Sequence, residues 1–289
     1  MNLQKFWSST EILISKRSGT QVPSQIYGWS NESMADARTC AQKRAANVNP
    51  HSKSSSLNKW YYDRPLRETI LSEHSSDDVK TLITRSRYGA QILVSDKVAF
   101  IDIDVFGEHD PQKGGAKRYS FFDKLLGRPS PTEEKIITLK EWFSQNPRVG
   151  MRLYKTPNGY RGIFTHALLD PQEKETERLF EAIGSDPLYK RLCRQQNCFR
   201  ARLTAKPWRI NVKQPHIVYP VLEHNENSLA IELAEKNQTL LKLYENEANN
   251  FAACSFIEHL GHRSVLREVS RVVELHDEKS GALSNKPIA

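Results

Sequence analysis

A chain of 289 residues with 38% hydrophobic content and a mean hydropathy of −0.62 holds enough apolar material for one large or two small domains. No apolar run approaches the ~18 residues a membrane span requires, and Met1-Asn2-Leu3-Gln4-Lys5-Phe6-Trp7 lacks the apolar core of an export signal. Net charge is +8, and four scattered cysteines (Cys40, Cys193, Cys198, Cys254) argue against a disulfide framework or a zinc site and predict a reducing cytoplasm.

The elements follow in chain order. Glu11 to Ser15 reads as a strand, followed by a Gly/Ser/Gln linker and Tyr27-Gly28-Trp29-Ser30. A helix is predicted from about Glu32 to Asn47, capped by Ser30 or Asn31, and His51 to Leu57 reads as an exposed loop. Val79–Thr84, Ala90–Val94 and Val98–Val105 read as strands separated by the turn residues Tyr88-Gly89 and Ser95-Asp96. Phe106 to Pro129 reads as a long loop. Ser130-Pro131-Thr132-Glu133 then combines an N-cap, a first-turn proline and a capping-box glutamate, and starts a helix that ends at Asn146-Pro147. Pro157-Asn158-Gly159 joins Gly150–Thr156 to Tyr160–His166 as a hairpin.

Helices are expected from Asp170 to about Ile183 and from Ser185 through Gln196, and strands over Phe199–Thr204 and His216–Leu222. The remainder reads as three helices, Leu229–Tyr244, Ala248–Leu260 and Val265–Leu275, with a frayed tail after Asp277. The fold class expected is α+β: a mixed or antiparallel sheet with an RRM-like βαββ unit, flanking helices and a helical C-terminal region. Three parts are delimited. Residues 1–57 form an N-terminal strand and helix, 58–224 an α+β core, and 225–289 a helical region packing on that core.

Chemistry concentrates in Ala99-Phe100-Ile101-Asp102-Ile103-Asp104-Val105. Alternation along a strand sends Asp102 and Asp104 to one face, and carboxylates in an apolar segment need compensation. Mg²⁺ or Mn²⁺ suits such hard oxygens; a structural ion pair with arginine is the alternative. On the hairpin strand, Arg161 is placed to hold a phosphate and His166 to contact a triphosphate or leaving group, although a solvated strand-end histidine explains His166 equally well.

Between Pro187 and Leu222 lie eight basic residues and no acidic one, so the rest of the chain is close to neutral. Within this block Arg200 and Arg202 share a strand face, and Lys206, Trp208 and Arg209 follow. That set suits backbone phosphates with a base stacked on Trp208. The competing reading puts Trp208 in the core and pairs the arginines with Asp102 or Asp104. His276-Asp277 reads as a solvated helix end.

The strand Phe100-Ile101-Asp102-Ile103-Asp104, with a later hairpin strand ending in Thr165-His166, resembles the archaeo-eukaryotic primase superfamily (primase-polymerases) over roughly Val79 to Leu222. The resemblance implies an RRM-like core, metal ligation by Asp102 and Asp104, nucleotide contacts from His166 and Arg161, and nucleotidyl transfer. Two features depart from the family pattern. Phe164 is bulky where a small residue precedes the histidine, and a third acid on a later strand is missing, Asp170 and Asp186 being the nearby candidates.

The expected function is therefore metal-dependent phosphate chemistry on nucleic acid or nucleotides. Asp102, Asp104 and His166 are its catalytic candidates, and Arg161, Arg200, Arg202, Lys206, Trp208 and Arg209 its phosphate- or nucleotide-binding set. A nuclease, a nucleotide-binding regulator and a non-catalytic nucleic-acid-binding protein are the alternatives.

Overall fold

A computed structural model describes residues 1, 4–15, 20–48, 65–66, 68–76, 78–105, 129–217 and 228–289, the side chains of 228–235 excepted. The predicted loop at 51–57 and nearly all of that at 106–129 lie outside these residues. The chain opens with a hairpin of β1 (Phe6–Ser15) and β2 (Gln21–Ser30), antiparallel from Phe6 opposite Ser30 to Ser15 opposite Gln21. This is longer than the expected strand at Glu11–Ser15, because cross-strand pairing carries its polar residues.

Helix α1 (Met34–Ala46) packs closely on the hairpin: a side chain at Gly28 would fall on the backbone of Ala37 and Ala41. Its cap is Ser33, whose hydroxyl accepts from the Asp36 amide at 3.1 Å, whereas Ser30 accepts from Glu32 in the preceding turn.

The core then runs β3 (Thr69–Glu73), β4 (Thr81–Arg85), β5 (Gln91–Ser95), β6 (Phe100–Asp104), α2 (Pro131–Gln145), β7 (Gly150–Thr156) and β8 (Gly159–Phe164). It continues through α3 (Lys174–Ile183), α4 (Pro187–Gln196), β9 (Phe199–Arg202), a 3-10 turn at Pro207–Arg209, α5 (Ser228–Ala248), β10 (Ser255–Gly261) and α6 (Arg267–Ser280). Two four-stranded antiparallel sheets result, β10-β7-β8-β6 and β3-β4-β5-β9, which makes the class α+β. Among the described residues no helix is long and apolar enough to cross a membrane.

The sheets meet where β6 approaches β9. There the Tyr189 hydroxyl lies 3.1 Å from the Phe100 carbonyl and 3.0 Å from the Arg200 carbonyl, and accepts from the Arg200 amide at 3.2 Å. One face of the first sheet, carrying Ile101, Ile103, Tyr160 and Phe164, packs on Leu139 and Phe143 of α2 and Phe180 of α3. The opposite face, which carries Asp102, Arg161 and Tyr154, is covered by α6, with His276 over Phe100 and Tyr154. The α2 start is the predicted one: the Ser130 hydroxyl accepts from the Glu133 amide and the Glu133 carboxylate accepts from the Ser130 amide.

The C-terminal region differs from expectation. Within the predicted helix Ala248–Leu260, α5 stops at Ala248 and Ser255–Gly261 becomes β10, because its β-branched and aromatic residues find an open edge on β7. Residues 225–289 therefore complete the core sheet rather than only packing against it. The predicted strand His216–Leu222 is irregular as far as 217 and lies outside the described residues beyond that. The tail is not frayed: Ala252 bridges Ile288, and the Ala289 amide donates to the Ala252 carbonyl at 3.0 Å.

Candidate functional site

Strand β6 buries Ile101 and Ile103 completely on one face, which fixes Asp102 and Asp104 on the other. Both carboxylates stay in contact with water: the Asp102 side chain is 47% exposed and Asp104 is exposed. The Asp186 amide donates to the Asp102 carbonyl at 2.9 Å and holds this end of the strand. Across the sheet Asp104 faces Gly159, where any side chain would meet the Ile103 carbonyl.

Asp102 lies directly opposite Arg161. Their Nε and Oδ1 atoms are 3.8 Å apart, too long for a hydrogen bond, while Arg161 itself is only 3% exposed. Its Nη1 donates to the Arg202 carbonyl at 2.7 Å and sits 3.4 Å from His276 Nε2. Arg161 is thus spent inside the protein and not offered to a phosphate.

Arg200 is similarly occupied. It forms an ion pair with Glu68, whose other oxygen accepts from the Thr84 hydroxyl, and donates to Gln196. Burial alone would lower its pKa, but the Glu68 charge raises it above the ordinary arginine value.

His166 does not join this group. It lies past the end of β8, five residues beyond Arg161 and so roughly 16 Å along the strand direction from Asp102. Its ring is edge-on to Phe164 with Nδ1 3.3 Å from the Gly150 carbonyl, and burial followed by the neighbouring His262 pushes its pKa down.

Around Asp102 and Asp104 the fold gathers Arg202 from the end of β9 and Lys206 and Arg209 from the turn that follows. The turn is anchored by a chain in which Thr204 donates to the Tyr244 hydroxyl and Tyr244 donates to the Ala205 carbonyl, both at 2.7 Å. Burial and then the charges of Arg202 and Arg209 push Lys206 down to about 8, although Asp102 and Asp104 pull the other way. Burial lowers Arg202 and Arg209 as well, followed by the charge of Arg161 on Arg202 and of Arg202 on Arg209.

Arg202 Nε and Arg209 Nη1 are shielded from solvent and have no acceptor among the described residues. Cationic donors crowded in this way are short of an anion, because an unsatisfied buried donor costs about 1–3 kcal/mol. Trp208 stands beside them and is not in the core: it is 56% exposed, with its ring 5.5 Å from Tyr88 and 5.3 Å from Lys206 Nζ.

Of the residues expected from sequence, Asp102, Asp104, Arg202, Lys206, Trp208 and Arg209 converge, Arg161 lies beneath them, and Arg200 and His166 serve elsewhere. Tyr88, Glu68, Tyr189 and His276 were not anticipated, since each reaches its partner through long-range packing. Two solvent-exposed carboxylates fit the way Mg²⁺ is commonly held, by one or two protein oxygens with water and substrate phosphates completing the shell. No third acid joins them: among the described residues no group of three or more His, Cys, Asp or Glu is arranged to hold a metal ion. Asp186 caps α4 through the Leu188 and Tyr189 amides, and Asp170 accepts from the Gln172 amide in its own turn. Compared with protein-family models, curated proteins and solved structures, this chain matches none of them.

Proposed function

We propose that this chain carries out metal-assisted phosphate chemistry on nucleotides or nucleic acid, in the manner of the nucleotidyl transfer that its resemblance to primase-polymerases implies. The observation that carries this reading is the juxtaposition of two water-exposed carboxylates, Asp102 and Asp104, with Arg202, Lys206 and Arg209, two of which hold unsatisfied N–H groups. Mg²⁺ or Mn²⁺ on Asp102 and Asp104 would polarise a phosphoryl oxygen and help orient the phosphate. Arg202, Lys206 and Arg209 bind the remaining phosphate oxygens and stabilise charge as it builds on them. Trp208 offers a face for a base. Four free cysteines suit a reducing compartment, and the cytoplasm is the expected setting.

The rival reading, a non-catalytic binder with Asp102 tied up by arginine, is disfavoured by the 3.8 Å separation and the half-exposed carboxylate. The test is primer extension and oligonucleotide cleavage with Mg²⁺ or Mn²⁺, run on the wild type and on a chain carrying Asp102→Asn and Asp104→Asn. Metal-dependent turnover that vanishes in a double variant still melting cooperatively supports the proposal. Nucleic-acid binding without turnover, and a melting curve indifferent to either metal, would overturn it in favour of the binder.

A further inference from the structure

Behind Asp102 the same sheet face continues into a sealed polar chain that phosphate binding does not use. His276 has no exposed surface, its ring lying between Phe100 and Tyr154. His276 Nδ1 is 2.9 Å from Asp277 Oδ1, and Asp277 Oδ2 accepts from Arg152 at 2.7 Å. On the other side, His276 Nε2 is 3.4 Å from Arg161 Nη1. A guanidinium can only donate, so Nε2 must present a lone pair and the ring proton must sit on Nδ1, given to Asp277. Cys254 lies 3.8 Å from Nε2 and directs its S–H to the Ser280 hydroxyl at 3.6 Å. Cys254, with His276 and Asp277 of α6, is buried where that helix packs on the sheet, and no substrate reaches a nucleophile there.

We infer that His276, backed by Asp277, is a positioning residue that holds the Arg161 guanidinium back from Asp102 and keeps that carboxylate available to a divalent cation. One Nη1 proton of Arg161 goes to the Arg202 carbonyl and the second faces His276 Nε2 at 3.4 Å, with Cys254 Sγ at 4.0 Å beside it, which fixes the plane of the group. Nε is thereby left 3.8 Å from Asp102, too far to close a tight pair. Freed of His276, the guanidinium can turn onto Asp102 and compete with the cation. The inference rests on the proposed metal role of Asp102.

The test is Mn²⁺ titration followed by electron paramagnetic resonance, on the full chain, for wild type, H276L, H276Q, D277N and D102N, each checked by thermal melting. H276L should weaken Mn²⁺ affinity by about tenfold, as loss of such outer hydrogen-bond partners does. H276Q, whose amide oxygen replaces the lost acceptor, should recover most of it, a rescue that a purely structural role would not produce. If H276L does not fold, D277N carries the test through loss of the fixed tautomer and should weaken binding several-fold. A folded H276L that binds Mn²⁺ as the wild type does, or D277N doing so where H276L is unfolded, overturns the inference alone. A wild type that takes up no Mn²⁺, or a D102N chain that takes it up equally well, overturns the functional reading together with the inference.

Discussion

Arg200 and Glu68 form an ion pair across 132 residues of sequence, while Arg202, on the same face of β9, is crowded by the like charge of Arg161; each arginine buries an Nε that has no acceptor among the described residues. Arg200 is thereby committed to architecture, and on the proposed function Arg202 is left to bind a ligand. Glu68 decides the division, since it reaches only the Arg200 end of the strand.

This division predicts opposite behaviour in two variants. Glu68→Ala strands the Arg200 charge among Leu82, Val94 and Cys198 and should cost about 3 kcal/mol in urea denaturation. Phosphate affinity should stay within about twofold. Arg202→Met should show the reverse, with weakened binding of tripolyphosphate and little loss of stability. Equal effects of both variants on binding would show that Arg200 belongs to the site.

Local chemistry was readable in the sequence. Ser130-Pro131-Thr132-Glu133 encodes its own helix start, and Pro157-Asn158-Gly159 encodes the β7–β8 turn. The shared face of Asp102 and Asp104 follows from strand alternation alone. What the sequence did not disclose depends on pairing at a distance. β10 resembles the helical segments around it until an edge of β7 is supplied, and His276-Asp277 looks like an exposed helix end until Arg152 and Arg161 close over it. His166 matches the histidine of a short motif. The motif gives residue type and spacing, but not the register that carries His166 past the end of β8 and away from Asp102.

Trp208 offers a second check. An exposed indole with a few edge contacts contributes little to folding, so Trp208→Ala should change stability by no more than about 0.5 kcal/mol. If the ring is a stacking platform, the same change should weaken oligonucleotide binding by about 1–3 kcal/mol, roughly fivefold to 150-fold, with no strong base preference. Fluorescence anisotropy with a labelled single strand measures this; unchanged binding would leave Trp208 without a role in the site.

Tyr189→Phe probes the seam between the sheets. The hydroxyl takes the Arg200 N–H and supplies its single proton to one of two carbonyls, so its loss leaves partly buried backbone groups unpaired. The cost expected is about 1–2 kcal/mol. Amide exchange should accelerate in β6 and β9 ahead of the rest of the core, because the seam opens first; uniform acceleration across both sheets would argue against a local role.

Lys206 gives the site a pH dependence of definite sign. Its pKa in the folded chain is pushed down from 10.5 to about 8, first by burial and then by Arg202 and Arg209. Between these values the unfolded chain holds a proton that the folded chain has lost. Stability therefore carries a penalty from Lys206 below pH 8 that is relieved as pH rises towards 10.5. Phosphate binding runs the other way, since only the ammonium form attracts the anion: affinity for tripolyphosphate should fall as pH rises through about 8. A bound polyanion favours the charged form, so binding near pH 8.5 should also take up protons, visible by calorimetry in buffers of different ionisation enthalpy. Lys206→Met should abolish both effects while leaving the weaker, pH-independent attraction of Arg202 and Arg209. Wild-type affinity that stays flat from pH 7 to 9.5 would remove Lys206 from the phosphate site.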